Sequence, residues 1–198
     1  MQFEPLNSFS GKKVHGPTLC IPKIFEDSRG IFYESWNENV WNDFLRSKNI
    51  KYKKFVQDNH SYTKGLVIRG LHFQSKPFEQ GKLVRCLKGE IYDVVVDLRR
   101  ESSTFCMWCG VNLSDKNHFQ LWVPEGFAHG FLSLSSETIV NYKVNNYWNK
   151  DYEKSLAWND EQLSIKWPIE ESKLSKIKLS KKDSNAPKIK EISPKDFF

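Results

Sequence analysis

Short strand-like runs follow one another from Phe55 to Val144, with no helical pattern between them. Most are rich in β-branched and aromatic residues and are bounded by turn residues, which is typical of strands. Lys88-Gly89 lies between two such runs and predicts a tight hairpin. Short strands at near-regular spacing predict an all-β sandwich or barrel. The predicted strands are Phe55–His60, Val67–Gln74, Lys82–Leu87, Glu90–Leu98, Met107–Leu113, Gln120–Val123, Gly130–Leu134 and Ile139–Val144.

The segments on either side of these runs carry weaker patterns. Residues 1–18 are poorly patterned and are expected to be an N-terminal lead-in. Asn37 can cap a helix that ends near Asn49, because the apolar residues between them fall on one face. Further strands are predicted over Leu19–Phe25, Ile31–Trp36 and Leu163–Pro168. No repeat or linker composition divides the 198 residues, so we expect a single domain over residues 1–198 with a tail from about residue 170.

The composition narrows the function classes. No run approaches the roughly 18 apolar residues of a membrane helix, so we expect no membrane contact. The N-terminal segment has an acid and a proline but no apolar core, which argues against a signal peptide and favours a cytoplasmic protein. The four cysteines are too few for a secreted disulfide scaffold. Cys106 and Cys109 share a strand-like run in which their sulfurs would face opposite sides, so all four are interpreted as buried apolar residues.

The net charge of +6 suits an anionic partner, which could be nucleic acid, an acidic surface or a phosphorylated small molecule. Much of the charge comes from lysines in the tail, and a solvated lysine-rich surface is the simpler interpretation. The sequence contains no zinc finger, RNP-type aromatic motif or arginine cluster. We therefore expect no nucleic-acid partner.

The most informative stretch for chemistry is RGLHFQSKPFEQGKLVR, from Arg69 to Arg85. It places His72 and Lys82 on two neighbouring strand-like runs. A histidine that takes a proton and a lysine that holds a negative oxygen are what proton abstraction beside a ketone requires. Taken alone, a histidine between two apolar residues is more often a hydrogen-bonded core residue, so this stretch does not decide the matter.

A second cluster, PEGFAHGF, joins a turn to a strand that begins at His129. Together with His72 it is similar to the two motifs of cupin barrels, in which histidines usually bind a metal. The second histidine of a cupin HxH motif would fall at residue 74, which is Gln74, so the set is poor for zinc or iron. The sequence favours free imidazoles over a metal oxygenase. His60 either caps a turn or lines a pocket, and Asp93, an acid among apolar residues, should be satisfied or functional.

These residues belong to a longer set of motifs that closely resembles the dTDP-4-dehydrorhamnose 3,5-epimerases, a family of sugar-nucleotide epimerases. The motifs run in family order over about residues 20–190. They are FEDSRGIFYES, FVQDNHS, IRGLHFQ, QGKLVRCLKGEIYDVVVDLR, QLWVPEGFAHGF, YKVNNYW, WNDEQLSIKWP and LSKKDSNAP.

The resemblance implies a metal-free, cofactor-independent, cupin-like jelly-roll barrel with a few short peripheral helices. It further implies a homodimer that epimerises dTDP-4-keto-6-deoxy-D-glucose at C3 and C5. By the family pattern, His72 is the base, Asp183 orients it, Lys82 stabilises the C4 oxygen and Tyr142 returns a proton from the opposite face. The remaining residues expected to line the site are Arg29, Glu34, Gln57, Asn59 and Arg69 for the nucleotide, Asp93, His129 and Tyr147 for the sugar, and Trp148 for base stacking.

Several alternatives stay open at the level of sequence. Relatives of this kind epimerise only C3 or C5, or isomerise the keto group, and a non-catalytic sugar-nucleotide-binding cupin would share the barrel. Arg69 and His72 are three residues apart, so a regular strand would point them to opposite faces. Either Gly70 marks a β-bulge or Arg69 serves a site across the dimer. Asn141 replaces an apolar residue usual in the family and could alter how Tyr142 is held.

Overall fold

The computed structural model describes all 198 residues, and its strands form two antiparallel sheets and one separate hairpin. The strands are β1 (Gln2–Asn7), β2 (Lys13–Ile21), β3 (Phe25–Asp27), β4 (Gly30–Phe32), β5 (Gln57–Lys64), β6 (Ile68–Gln74), β7 (Lys82–Lys88), β8 (Glu90–Asp97), β9 (Trp108–Ser114), β10 (Gln120–Val123), β11 (Phe127–Ser133), β12 (Glu137–Val144) and β13 (Glu153–Ser155). The helices are α1 (Glu38–Ser47) and α2 (Lys181–Ser184), with 3-10 turns at Glu171–Lys176, Ile189–Glu191 and Pro194–Asp196.

The order of the strands is that of a jelly roll. The six-stranded sheet runs β1-β2-β10-β7-β12-β5, and the five-stranded sheet runs β13-β6-β11-β8-β9. Lys88-Gly89 forms the predicted tight connection, through a glycine with φ of +75°, but the predicted hairpin is wrong, because β7 and β8 lie in different sheets and do not pair. The all-β, jelly-roll prediction with few short helices is therefore confirmed.

The core lies between the two sheets, because each strand places alternate residues on its inner face. Val84 and Val140 of the six-stranded sheet pack in one cluster with Val95 and Phe131 of the five-stranded sheet, and all four are buried. Tyr142 packs at the edge of this cluster, which brings one polar side chain from the core strands toward the cleft described below.

Two smaller clusters cover the outer faces. Asn37 caps α1 by accepting hydrogen bonds from the amides of Asn39 and Val40 at 3.0 and 3.3 Å, which confirms the predicted helix start. Trp41 on α1 packs against Trp122 of the six-stranded sheet.

The C-terminal segment covers the five-stranded sheet, with Ile189 among the buried residues of its cluster. This docking holds α2 beside β6. None of the helices has the length and apolar character needed to cross a membrane.

Several local predictions are wrong, for identifiable reasons. Residues 1–18, expected to be a lead-in, form β1 and most of β2, because an edge strand tolerates the proline that hid its pattern. Leu163–Pro168 forms no strand, and its apolar residues pack as a loop on the five-stranded sheet. The last strand is instead β13, where the sequence pattern predicts none. Cys106 lies in a turn with φ of +62°, before the strand that holds Cys109.

Candidate active site

One cleft gathers residues from both sheets and from the C-terminal segment. Two adjoining pockets share His72, Lys82 and Tyr142, which lie on β6, β7 and β12. Three separate regions of the chain therefore converge on one space. The residues lining it include Gln57, Asn59, Ser61, Arg69, His72, Gln74, Lys82, His129, Tyr142, Trp148, Glu153, Lys182 and Asp183.

His72 is held by a carboxylate from the tail. Its Nε2 lies 2.5 Å from Oδ1 of Asp183, which is 4% exposed. Ser180 caps α2 by accepting a hydrogen bond from the Asp183 amide at 3.0 Å. Ser180 and Asp183 thus have different roles: Ser180 caps α2, and Asp183 pairs with His72.

The electrostatics favour a neutral imidazole beside an ionised carboxylate. Burial lowers the pKa of His72, and Lys182 and Lys82 add to that effect against the attraction of Asp183. Burial also raises the pKa of Asp183, but hydrogen bonds from His72 and Ser180 outweigh it and hold that pKa below its usual value. An ionised carboxylate only accepts hydrogen bonds, so Nε2 of His72 carries the proton and Nδ1 has the free lone pair.

Lys82 is a buried cation beside this pair. Its Nζ donates to the backbone oxygen of His72 at 3.4 Å. Burial lowers the pKa of the ammonium from 10.5 to about 8, against the attraction of Asp93 and Glu153. A buried ammonium whose field is only partly neutralised is suited to stabilising a negative oxygen that develops in the cleft.

Tyr142 enters the cleft from the six-stranded sheet, opposite β6. Burial raises the pKa of its phenol, with Arg69 acting in the other direction, so the phenol keeps its proton at neutral pH. The neighbouring Asn141 lies on the other face of β12. There it donates to Asp58 at 2.8 Å and accepts from Arg85 at 3.3 Å. The Asn141 side chain therefore lies on the face of β12 away from the Tyr142 phenol and does not contact it.

A second imidazole–carboxylate pair lies deeper. His129 pairs with His72 across β11 and β6, and its Nε2 lies 2.8 Å from Oδ1 of Asp93. Both members are buried, and Oδ2 of Asp93 has no hydrogen-bond partner. His129 lines the cleft, whereas Asp93 lies behind it. The expectation that Asp93 is satisfied or functional holds in part, since one of its two oxygens is bonded.

Gly70 marks a β-bulge, as one of the two alternatives predicted. His129 and Phe131, two residues apart, pair with His72 and Arg69, three residues apart, so β6 carries one extra residue. Gly70 has φ of +127°, and a Cβ there would lie 2.6 Å from the Gly130 Cα. The bulge brings Arg69 to the same cleft as His72. The Arg69 guanidinium donates to Thr63 Oγ1 at 3.0 Å.

Four expected site residues do not line this cleft within one chain. Arg29 lies on the β3–β4 hairpin, where it pairs with Asp27 at 2.6 Å, and Glu34 accepts a hydrogen bond from Asn37 at 3.0 Å. Asp93 lies behind the cleft, and Tyr147, which is 62% exposed, precedes the lining residue Trp148. His60 neither caps a turn nor lines the cleft, because it faces outward from β5 opposite Asn141.

Sequence reasoning missed four of the cleft residues named above, which are Ser61, Gln74, Glu153 and Lys182. Glu153 on β13 forms an ion pair with Lys182 at 2.9 Å, and Gln74 lines the cleft from β6. No strand pattern marks Glu153, and Lys182 is one of many tail lysines. The position of Lys182 next to Asp183 was the one signal that could have identified it.

No group of three or more His, Cys, Asp or Glu side chains is arranged to hold a metal ion.

Comparisons with known proteins agree with one another. A family model described as dTDP-4-dehydrorhamnose 3,5-epimerase matches residues 12–191. The enzyme of that name from Salmonella typhimurium is 50% identical over 169 residues, covering 85% of this chain and 88% of the relative.

Two solved structures are also similar. The crystal structure of an epimerase from Legionella pneumophila in complex with dTDP-4-keto-L-rhamnose has a TM-score of 0.87 and 39% identity, covering 99% of this chain and 97% of that chain. A 3′-monoepimerase from Streptomyces bikiniensis in complex with dTDP-quinovose has a TM-score of 0.79 and 28% identity, covering 93% and 86%. Double and single epimerases thus share this architecture.

Proposed function

Because the chain belongs to the dTDP-4-dehydrorhamnose 3,5-epimerase family, we propose that it converts dTDP-4-keto-6-deoxy-D-glucose into dTDP-4-keto-L-rhamnose by inverting C3 and C5. It is an isomerase of the epimerase class, and its place is in dTDP-L-rhamnose biosynthesis. One observation carries the proposal: a neutral His72 held by an ionised Asp183 shares a cleft with the buried ammonium of Lys82 and the phenol of Tyr142.

The chemistry follows from that arrangement. Nδ1 of His72 takes the proton from C3 or C5, which flank the C4 ketone. The C–H electron pair forms a double bond to C4, and the carbonyl π pair moves onto O4. The Lys82 ammonium stabilises the enolate oxygen that results. Asp183 stabilises the imidazolium formed at His72, as a paired carboxylate does.

Inversion then requires a proton on the other face. The Tyr142 phenol donates that proton to the carbon, and the enolate electrons return to re-form the ketone. The imidazolium releases its proton and the phenolate takes one up before the next turnover. No redox cofactor is needed, because the sugar has the same oxidation state before and after the reaction.

The nucleotide is assigned to the outer part of the cleft. Gln57 and Asn59 of β5, together with Arg69, line it with polar groups, and a guanidinium suits a diphosphate through its planar set of donors. Trp148, 53% exposed, offers a face for the base. His129 lines the sugar side, and Asp93 holds it from behind the cleft. A nucleotide sugar is made where nucleoside triphosphates are available, so we place the reaction in the cytoplasm.

A homodimer completes the site in this proposal. Arg29 and Glu34, expected at the nucleotide, lie on or beside the β3–β4 hairpin and not in the cleft of their own chain. The hairpin exposes Phe25 and Phe32, at 52% and 71%, which a second copy would cover. β5 is the free edge of its sheet and carries Gln57 and Asn59, so a hairpin docked there would bring Arg29 to the nucleotide.

The test incubates the protein with dTDP-4-keto-6-deoxy-D-glucose in deuterated water and follows H3 and H5 by NMR. Exchange at both positions, lost in His72→Ala, is the expected result. Exchange at one position only would make the protein a mono-epimerase, like the Streptomyces enzyme it resembles. A protein that binds the nucleotide sugar without any exchange would be a binding cupin instead.

A further inference from the structure

The backbone on both sides of Trp148 is fixed by two glutamine side chains. Gln74 Nε2 donates to the carbonyl oxygen of Tyr147 at 3.1 Å, and Gln57 Oε1 accepts from the amide of Trp148 at 3.2 Å, so both bond the same peptide group. Gln74 Oε1 accepts from the amide of Asn149 at 2.6 Å, which fixes the next peptide group. With both peptide planes held, the backbone dihedrals of Trp148 have little freedom.

Gln74 ties this loop to the catalytic strand. It follows His72 by two residues on β6, so both side chains leave the strand on the same face. Its Nε2 also donates to the carbonyl oxygen of Phe78 at 2.5 Å, and the side chain is 4% exposed. The three hydrogen bonds of this buried side-chain amide are therefore all made to backbone groups of two loops, residues 75–81 and residues 145–152.

Packing does little to hold Trp148, which is 53% exposed and belongs to none of the hydrophobic clusters. An exposed aromatic residue without a packed surround depends on its backbone for orientation. That orientation decides whether the ring can stack on a base.

We propose that Gln74 is a positioning residue. It holds the Trp148 ring where the ring can stack on the nucleotide base while the sugar of the same ligand lies beside His72. This inference rests on the proposed function only in taking the ligand to be a nucleotide sugar. Stacking a base on an aromatic side chain contributes roughly one to two orders of magnitude in affinity. Gln74 acts on that contribution through Trp148 and does not touch the reacting carbons.

The experiment compares two inhibitors, thymidine diphosphate and inorganic pyrophosphate, in Gln74→Ala and Gln74→Glu. The carboxylate of Gln74→Glu still accepts from Asn149 but sets an oxygen against the carbonyl oxygens of Tyr147 and Phe78, so its expected effect is at least as large as that of alanine. For Gln74→Ala we expect the inhibition constant of thymidine diphosphate to rise about tenfold, with that of pyrophosphate unchanged. KM for the nucleotide sugar should rise by a similar factor while kcat stays within about twofold, because the reacting carbons are untouched.

A double-mutant cycle with Trp148→Ala separates positioning from general loss of structure. If Gln74 acts through Trp148, adding Gln74→Ala to Trp148→Ala costs little further affinity for thymidine diphosphate. Asn117→Ala is the matched control, since Asn117 also holds a turn by three backbone hydrogen bonds of 3.0 Å but lies outside the cleft. It should lower the melting temperature without changing either inhibition constant.

Two outcomes would overturn the inference: equal loss of affinity for both inhibitors in Gln74→Ala, or additive effects in the double mutant. Failure of the proposed function is a separate result. It would appear in the wild-type protein as thymidine diphosphate binding without H3 or H5 exchange, and the same comparison of the two ligands would then be made from dissociation constants measured by calorimetry.

Discussion

Nε2 of His72 lies 2.5 Å from Oδ1 of Asp183, although 111 positions separate the two residues in the chain. The contact forms because the C-terminal segment docks on the outer face of the five-stranded sheet and carries α2 back to β6. It fixes which nitrogen of His72 is protonated and leaves Nδ1 with the free lone pair that the proposed base requires.

Asp183→Asn should therefore lower H3 and H5 exchange by on the order of 10³-fold while leaving the fold intact. Asparagine keeps the shape but cannot stabilise the imidazolium, and its amide can favour the wrong tautomer. Exchange rates in deuterated water measure the effect. Ser184→Ala, on the same short helix, should exchange at the wild-type rate, since its hydroxyl bonds only to the Lys181 carbonyl. Wild-type exchange in Asp183→Asn would exclude the pair as the base.

The pH profile of kcat/KM should be bell-shaped. Lys82 is charged below its pKa of about 8, so activity should fall as the pH rises through that value. His72 is a base only when neutral, and its pKa is lowered from 6.5, so the acid limb should lie below that value. Lys82→Met should lower kcat by about 10²- to 10³-fold and remove the alkaline limb. An alkaline limb that persists near pH 8 in this variant would belong to another group.

Tyr142→Phe should separate proton abstraction from inversion. The base and the oxyanion stabiliser remain, so exchange should continue, but the proton donor on the opposite face is lost. We expect the yield of product inverted at C5 to fall by about 10²-fold or more, measured by NMR of the product. Asn141→Leu, the matched control, restores an apolar neighbour on the far face and should leave both inversions unchanged. A C5 inversion at the wild-type rate in Tyr142→Phe would assign the donor elsewhere.

Mixing two inactive variants should test whether Arg29 acts across the dimer. In a heterodimer of Arg29→Ala and His72→Ala subunits, one of the two sites receives both native residues. Random exchange in a 1:1 mixture should recover roughly a quarter of the wild-type activity at substrate concentrations well below KM. If Arg29 serves its own chain, no site in the mixture is complete and activity should not return.

Chelators should leave activity unchanged. The reaction proposed for His72, Lys82 and Tyr142 moves protons only, and the position of a second cupin histidine holds Gln74, which is not a metal ligand of the usual kind. Dialysis against EDTA followed by the exchange assay measures this. Activity that disappears and then returns with a divalent ion would contradict the metal-free mechanism.

Sequence patterns predicted the central strands well. In an antiparallel sheet, apolar and polar residues alternate along a strand, and this alternation shows which face is buried. They failed where that signal is absent. The edge strand β1 contains Pro5, and β13 has three half-buried residues, so neither shows a clear pattern. The apolar residues from Leu163 to Trp167 pack as a loop, and a short apolar run cannot by itself distinguish a strand from such a loop.

The identity of the chemical groups was available from the sequence: His72, Lys82, Tyr142 and Asp183 are present in motifs that resemble one family. Their arrangement was not, because local spacing says nothing about contacts between distant strands. The bulge at Gly70 turns Arg69 toward the cleft, docking of the tail brings Asp183 to His72, and Gln74 reaches the loop of Trp148. Each of these depends on how the two sheets and the C-terminal segment pack, which is a property of the folded chain as a whole.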